Sequence, residues 1–259
     1  MSQSPYNRAS FPAFIHVRRQ CAMRKDSTTP RWTRHLFYRA EHTRTTWNLR
    51  LGLFALVVVA LWLTSGWWTV AIGQSLVCDA SLEPSDAILV DNLDQDYRLF
   101  ERAAELRRVG LASRVLVPVL ADAGTREPNS VALGTTEVMA RIARVGEIEV
   151  LPILEAEPIS LNAAREMQRF LDRGQIRSVI VVTPLFRSRR SALVYAATFG
   201  KAGVTVRCQP VQRSAGVSDW TLSWHGIEEV MQQWLKLQYY RFYVLPFGLA
   251  RLGPIGDVP

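Results

Sequence analysis

The sequence contains few of the side chains that most often perform chemistry in proteins. Among 259 residues there are only four histidines and three cysteines. Three of the histidines (His16, His35 and His42) lie before the first long apolar stretch, and His225 stands alone among tryptophans. No P-loop, nucleophile elbow or complete dinucleotide-binding fingerprint is present. We therefore predict neither a metal site nor a cofactor, and the charged residues become the main candidates for a site.

Excess positive charge is missing from most of the chain. The formal net charge is +8, and residues 1–50 alone hold ten basic residues against two acidic ones. These residues are rich in Arg, Ser, Thr and Pro without sustained periodicity, which predicts a mobile basic arm attracted to anionic lipid headgroups. A nucleic-acid site would need a folded or aromatic binding surface that the arm lacks, so we expect no nucleic-acid partner.

Charge of either sign is absent from Leu51 to Cys78. The apolar run is long enough to cross a hydrocarbon core of about 30 Å, so we predict a transmembrane helix over 51–73. Tryptophans favour the membrane interface and lie near both ends, and the basic arm predicts a cytoplasmic N-terminus. A cleaved signal peptide is the alternative, but its apolar region is usually only about 7 to 15 residues long.

The region over 79–245 alternates short apolar runs with segments of helical periodicity. Strands are predicted at 87–90, 115–120, 149–154, 179–183 and 204–208. Four helices are predicted between the strands. The first follows Asp96 as its cap, and the others span 135–145, 160–173 and 190–199, with Ser160 as the cap of the third. This alternation predicts a three-layer, Rossmann-like α/β fold with a parallel sheet. Because the N-terminus is predicted to be cytoplasmic, we expect this domain to lie outside the cytoplasm. Pro152 predicts an edge position or a kink for the third strand.

The end of the chain is predicted to form one long aromatic helix through Tyr240. Its aromatic and apolar residues recur three, four or seven positions apart, which favours a packing face. They are Trp220, Trp224, Ile227, Met231, Trp234 and Leu235, with Gln238 at the same spacing. The alternative is that the stretch from Tyr239 to Tyr243 returns to the membrane interface.

Two of the cysteines, Cys78 and Cys208, fall on the predicted extracytoplasmic side. An oxidising compartment would allow a disulfide there. The sequence does not show whether residues 130 positions apart meet, and the favoured interpretation is two small buried side chains.

Several short motifs resemble the YdcF-like family of domains of unknown function, whose membrane-anchored members include SanA and ElyC of bacterial envelopes. The matching residues are Asp86, Ala87, Arg98 or Arg102 with Leu106 and Gly110, Ser160 with Ala164, Val182, Thr183, Phe186, Arg190 and Gly203. The resemblance covers about residues 84–240. It implies a single-pass protein of the bacterial inner membrane whose periplasmic domain takes part in cell-envelope metabolism.

The sequence departs from that family at a residue that matters for chemistry. Arg187 stands where the family usually has a histidine. Arginine cannot act as a general base at ordinary pH, because its pKa exceeds about 12. The position therefore suits charge stabilisation or anion binding better than proton transfer.

The strongest site candidate follows the fourth predicted strand. Val179 to Thr183 runs into Pro184, and three arginines follow by residue 190. Ligands of parallel α/β sheets bind beyond the carboxyl ends of the strands. We therefore predict an anion site, for a phosphorylated or lipid-linked envelope precursor, formed by Ser160, Asn162, Thr183, Arg187 and Arg190. The alternative is that these arginines pair with Asp91, Asp94 or Glu157 and only link the sheet edge together.

Two other functions stay open. A hydrolase or transferase acting on an envelope precursor would use Asp91 as acid or base and Arg187 as charge stabiliser. A non-catalytic scaffold would bind envelope proteins and membrane lipid through its apolar helix and aromatic tail. The acidic group Asp91, Asp94 and Asp96 could in principle bind a divalent cation, but its spacing matches no known metal loop and favours a capped helix start.

Overall fold

The computed structural model of the chain describes residues 47–122, 125–213 and 215–248. The basic arm predicted over 1–50 lies outside this range except for its last four residues, which begin a helix. The chain divides into two units, Met1–Phe54 and Ala55–Pro259. The second unit contains the whole sheet and every candidate site residue.

Two successive helices replace the single apolar helix predicted over 51–73. They are α1, Trp47–Leu63, and α2, Ser65–Ser75. Within the described residues no single helix is long and apolar enough to cross a membrane. The two helices together, bent by 60°, reach the length and the apolar composition of a membrane span. The Thr64 hydroxyl donates to the Ala60 carbonyl and the Ser65 hydroxyl to the Trp62 carbonyl, both at 2.7 Å. Such bonds back to the preceding turn bend helices, and hydropathy does not detect them.

A five-stranded parallel sheet forms the centre of the domain, as predicted. In chain order its strands are β1 Ala87–Val90, β2 Arg114–Leu120, β3 Glu149–Ile153, β4 Ser178–Pro184 and β5 Thr205–Val211. They are arranged β3-β2-β1-β4-β5, so β1 is central, and its Leu89 pairs with Leu116 of β2 and Val181 of β4. β3 lies at an edge, as Pro152 predicted, because an edge strand tolerates the missing N–H of proline.

Helices cover both faces of the sheet and complete the predicted three layers. The four that follow β1 to β4 are α3 Tyr97–Arg108, α4 Ser130–Ile142, α5 Ile159–Arg173 and α6 Ser188–Phe199. α3 and α4 pack on the face that carries Ile88 and Ile180, and α5 and α6 pack on the face that carries Leu89 and Val181. Burial of the central strands on both faces explains their unbroken apolar runs.

Side-chain caps set the starts of the helices. Asp96 caps α3 as predicted, accepting a hydrogen bond from the Arg98 N–H at 3.0 Å. α4 begins five residues before its predicted start, because the Asn129 side chain accepts from the N–H groups of Val131 and Ala132. The cap predicted for α5 is wrong: Ser160 lies inside the first turn, and the helix follows Pro158.

The aromatic tail differs from its prediction in both continuity and orientation. Helix α7 spans Trp224–Tyr239 and continues as a wider π-helix over Tyr240–Gly248, while Trp220 lies in a separate 3-10 turn. The buried positions of α7 are Gly226, Val230, Gln233 and Leu237, and the predicted stripe of Trp224, Met231, Trp234 and Leu235 is exposed. Hydrophobicity alone misplaced the packing face because the inward-facing Gln233 is polar.

Cys78 and Cys208 form a disulfide, so the favoured interpretation of two unpaired cysteines is wrong. The connection between α2 and the sheet is further held by backbone contacts to the start of α6. The Cys78 N–H donates to the Ser188 hydroxyl at 3.0 Å, and the Arg189 N–H donates to the Leu76 carbonyl at 2.9 Å. The chain after α2 is therefore fixed to the domain before β1 begins.

Candidate anion-binding site

Asp91 lies at the carboxyl end of β1 and is only 1% exposed. Thr183 and Ser191 donate hydroxyl hydrogen bonds to its Oδ2 at 3.0 and 2.7 Å, and Tyr195 donates to its Oδ1 at 3.2 Å. Burial raises the pKa of Tyr195 well above its ordinary value and the charge of Asp91 adds to this, so the phenol stays neutral and donates. A buried carboxylate is tolerated because donors surround it in this way.

Arg187 neutralises Asp91 from the end of β4. Its Nη2 lies 3.4 Å from Asp91 Oδ1, and its Nη1 donates to the partly exposed Asp94. Burial lowers the pKa of Arg187, but the charges of Asp91 and Asp94 outweigh burial and leave that pKa raised. The pairing of Arg187 with these two carboxylates is the arrangement that the alternative interpretation of the arginines expected.

Arg190 is buried just as deeply, at 6% exposed, but its contacts are neutral. Its Nη1 donates to the Ser160 hydroxyl at 2.8 Å and its Nη2 to the Gln233 side-chain oxygen at 3.1 Å. The guanidinium also lies 5.3 Å from the centre of the Tyr240 ring. Its Nε has no hydrogen-bond partner, and no carboxylate forms an ion pair with it, within the described part of the chain. Burial lowers the pKa of Arg190 and the nearby charge of Arg187 lowers it further, while the charges of Asp91 and Asp94 oppose this shift without reversing it.

A cleft of about 370 Å³ opens beside these arginines, between α5 and α7. Its cations are Arg187, Arg190 and Lys236, and its acidic groups are Asp94, Glu155 and Glu157. Burial, followed by the charge of Arg190, lowers the pKa of Lys236. The charge of Arg187 lowers the pKa of Lys236 as well, whereas Asp94 and Glu157 raise it, so the three cations and the carboxylates of the cleft lie within electrostatic range of one another.

The predicted binding residues divide between the cleft and its supporting structure. Ser160, Arg187 and Arg190 line the cleft. Thr183 is buried and donates its hydroxyl hydrogen to Asp91, whereas Asn162 donates from Nδ2 to the Ala156 carbonyl at 2.9 Å. These two side chains hold neighbouring protein groups and do not line the cleft.

The candidate catalytic and metal groups are also occupied by protein contacts. Asp91 does not line the cleft, and its two oxygens together accept from three hydroxyl groups and Arg187. Asp94 pairs with Arg187, and Asp96 both caps α3 and pairs with Arg213 at 2.9 Å. Among the described residues, no group of three histidine, cysteine or carboxylate side chains could hold a metal ion.

Several site residues were missed by sequence reasoning, for two different reasons. Ser191 and Tyr195 follow the predicted residue Arg187 at intervals of four, which places these two missed residues on the face of α6 that contacts Asp91. That spacing could have revealed the polar cluster. Gln233, Lys236 and Tyr240 come from more than forty residues further along the chain, and no local pattern connects them with Arg190.

Comparison with known proteins gave no match among family models, curated proteins or solved structures. The case for a function therefore depends on the residues of the site and on the organisation of the chain.

Proposed function

We propose that this chain is a single-pass inner-membrane protein of the bacterial envelope, related to the YdcF-like family, whose α/β domain binds an anionic ligand outside the cytoplasm. The ligand is a phosphorylated or lipid-linked precursor of the envelope, and its anionic group lies beside Arg190 in the cleft between α5 and α7.

The observation that carries this proposal is the buried charge of Arg190 with only neutral partners. Removing a cation from water is costly unless a counter-charge is nearby, and the lowered pKa of Arg190 shows that the charges of Asp91 and Asp94, which form no ion pair with it, do not offset that cost. Phosphate or carboxylate in the cleft would supply the counter-charge. The planar guanidinium suits both groups because it presents several N–H donors in a fixed geometry.

The surroundings of Arg190 add to its preference for an anion. Ser160 accepts from Arg190, which leaves its own hydroxyl hydrogen free to donate to a ligand. Ile159 and Ser160 lie in the first turn of the 15-residue helix α5, where the helix dipole and backbone N–H groups favour negative charge. Lys236 supplies a further cation from α7.

The composition of the cleft favours an organic phosphate over a free inorganic ion. Leu93, Leu120, Ile159 and Tyr239 line it together with the cations. These apolar groups offer contact area that only a ligand with a carbon skeleton can use. Glu155 and Glu157 also line the cleft and can accept hydrogen bonds from hydroxyl groups of such a ligand.

Three features support the membrane topology. The chain has an excess of basic residues before the apolar stretch, which favours a cytoplasmic N-terminus. The bent pair α1 and α2 is long and apolar enough to cross a bilayer. The Cys78–Cys208 disulfide follows this pair, and disulfides persist mainly in oxidising compartments outside the cytoplasm.

The ligand can be tested by native mass spectrometry of the full chain, released from detergent micelles after incubation with a phospholipid extract of bacterial envelopes. Arg190→Gln is the test variant, and Arg189→Gln is the matched control, because the side chain of Arg189 is partly exposed and pairs with the exposed Asp79 at 3.5 Å. We expect a phosphorus-containing adduct on the wild type and on Arg189→Gln that is lost from Arg190→Gln. An adduct retained by Arg190→Gln, or none on any folded protein, would remove the anion site.

The topology can be tested separately with reporters fused after Gly256. We expect an alkaline phosphatase fusion, which needs an oxidising compartment, to be active and a cytoplasmic reporter to be inactive. The reverse result would place the domain in the cytoplasm.

A further inference from the structure

The turn before α7 packs directly against the end of α2. The Trp220 indole N–H donates to the Thr69 carbonyl at 2.9 Å. A Cβ atom added at Gly73 would lie only 3.0 Å from the Val217 carbonyl oxygen, so the two backbones approach closely at that point. The segment around Trp220 therefore lies beside the second half of α2.

This contact is part of a rigid junction. Leu76, immediately after α2, is buried in one cluster with Trp220, Val230 and Leu237. Two residues later the Cys78–Cys208 disulfide joins the same segment to β5. The level of Trp220 relative to α2 is consequently fixed by packing and by a covalent bond.

Two large apolar side chains close to Trp220 in the sequence are exposed to solvent. Leu222 is 84% exposed and Trp224, the first residue of α7, is 74% exposed. Trp67 and Trp68, near Thr69 on α2, are exposed as well. Four such side chains around one junction are unusual for a surface that faces only water.

The position of Thr69 along the apolar helices indicates what these side chains meet. Arg50 is the last charged residue before the apolar run, and Thr69 follows it after about 28 Å measured along the helices at 1.5 Å per residue, a path that the 60° bend at Thr64 shortens to about 26 Å in a straight line. This is close to the thickness of a hydrocarbon core, about 30 Å. If the pair spans the bilayer, Thr69 and its neighbours lie near the outer headgroup layer, where indole rings are most favoured.

We propose that Leu222 and Trp224 insert into the outer headgroup layer, so that the α/β domain rests on the lipid surface beside its own membrane helix. This inference depends on the membrane span proposed above. The occupant is lipid because α2 brings the bilayer to this level whether or not another protein is present.

Docking would also set the distance of the ligand cleft from the lipid. Trp224 begins α7, and Lys236 lines the cleft about 18 Å further along the same helix at 1.5 Å per residue. The cleft would thus lie at most about 18 Å, measured along α7, from the inserted side chains. That geometry suits a ligand whose anionic group is attached to a membrane lipid.

The experiment measures depth with nitroxide labels on the full chain in nanodiscs of phosphatidylethanolamine and phosphatidylglycerol. Single labels are placed at Leu222→Cys and Trp224→Cys in a Cys21→Ser background, which keeps the Cys78–Cys208 disulfide. Val131→Cys, at a position 74% exposed on α4, is the control for an apolar surface position away from the junction. Val58→Cys, within α1, reports whether the proposed span is in the bilayer.

Docking predicts that labels at 222 and 224 collide more with oxygen than with a water-soluble nickel chelate, as at 58, and that the label at 131 shows the opposite preference. Water-like accessibility at 222 and 224 with a lipid-like label at 58 would overturn docking while leaving the span intact. Dipolar broadening between labels at 222 would show a second copy of the chain there and would also overturn it. Water-like accessibility at 58 would refute the span and, with it, the docking, while the anion site would still be decided by its own binding test.

Discussion

Asp91 and Arg187 form an ion pair between the ends of two adjacent strands, with Nη2 of Arg187 3.4 Å from Oδ1 of Asp91 and at most 4% of either side chain exposed. Arg190 follows one helical turn later and is equally buried, yet its hydrogen bonds go to Ser160 and Gln233. Two arginines of one segment therefore have different environments. Arg187 links the sheet edge, and Arg190 presents charge that protein carboxylates do not neutralise at close range.

This difference predicts that the loss of Arg187 lowers stability more than the loss of Arg190. Arg187→Met leaves Asp91 buried without its cation, so we expect the free energy of unfolding to fall by about 3 to 5 kcal/mol. Arg190→Met leaves only neutral groups without a partner and removes a desolvated charge, so we expect a loss of no more than about 2 kcal/mol. Urea denaturation of the full chain in detergent, followed by near-ultraviolet circular dichroism, measures both changes.

Equal losses for the two variants would contradict this assignment of the arginines. Arg102→Met serves as a control for the loss of an arginine elsewhere, because Arg102 makes a partly exposed ion pair with Glu105 within α3. Pairs of that kind are worth at most about 1 kcal/mol.

The architecture could be predicted from the sequence because each strand has its own local signal. The run of β-branched residues in β4 indicates burial on both faces of the sheet, and Pro152 indicates that β3 is an edge strand. Helix starts were less predictable where a side chain outside the apolar pattern forms the cap, as Asn129 does for α4. At the break, Thr64 and Ser65 donate hydroxyl hydrogen bonds to carbonyls of the preceding turn, a feature that hydropathy ignores.

The site could be located from the sequence but not assembled. Pro184 ends β4, and Arg187 and Arg190, which follow it, line the candidate cleft. The partners that distinguish Arg187 from Arg190 lie far away in the chain: Asp91 on β1 and Gln233 on α7. The Cys78–Cys208 disulfide was not favoured for the same reason, since a contact across 130 residues leaves no local pattern.

The disulfide predicts a strong dependence of stability on reducing agent. It closes a loop of 130 residues, and loss of a native disulfide typically lowers the free energy of unfolding by about 2 to 5 kcal/mol. We expect dithiothreitol to lower the melting temperature of the wild type and Cys78→Ser/Cys208→Ser to melt at the reduced value. The melting temperature of the double variant should not respond to dithiothreitol. If dithiothreitol lowered it further, the effect would have to come from a group other than this disulfide.

Asp86 predicts an acid-sensitive contribution to stability at the start of the sheet. Its Oδ2 accepts from the N–H groups of Arg177 and Ser178, each at 2.8 Å, and from the Ser178 hydroxyl at 3.0 Å. The Arg177 N–H lowers the pKa of Asp86, and the Ser178 contacts add to this against the opposing effect of desolvation. A carboxyl whose pKa is lower in the folded state stabilises the fold above its unfolded pKa, about 3.9, and loses that contribution as the pH falls through the folded value.

We therefore expect Asp86→Asn to lower the free energy of unfolding at neutral pH by roughly 1 kcal/mol, a modest value because solvent reaches the carboxylate. The difference from the wild type should stay constant above about pH 5 and shrink below about pH 4. Urea denaturation of both proteins from pH 7 to pH 3 measures it, with Asp79→Asn as the control at an exposed carboxylate. A difference that does not change down to pH 3 would show that Asp86 acts through its shape and not through its charge.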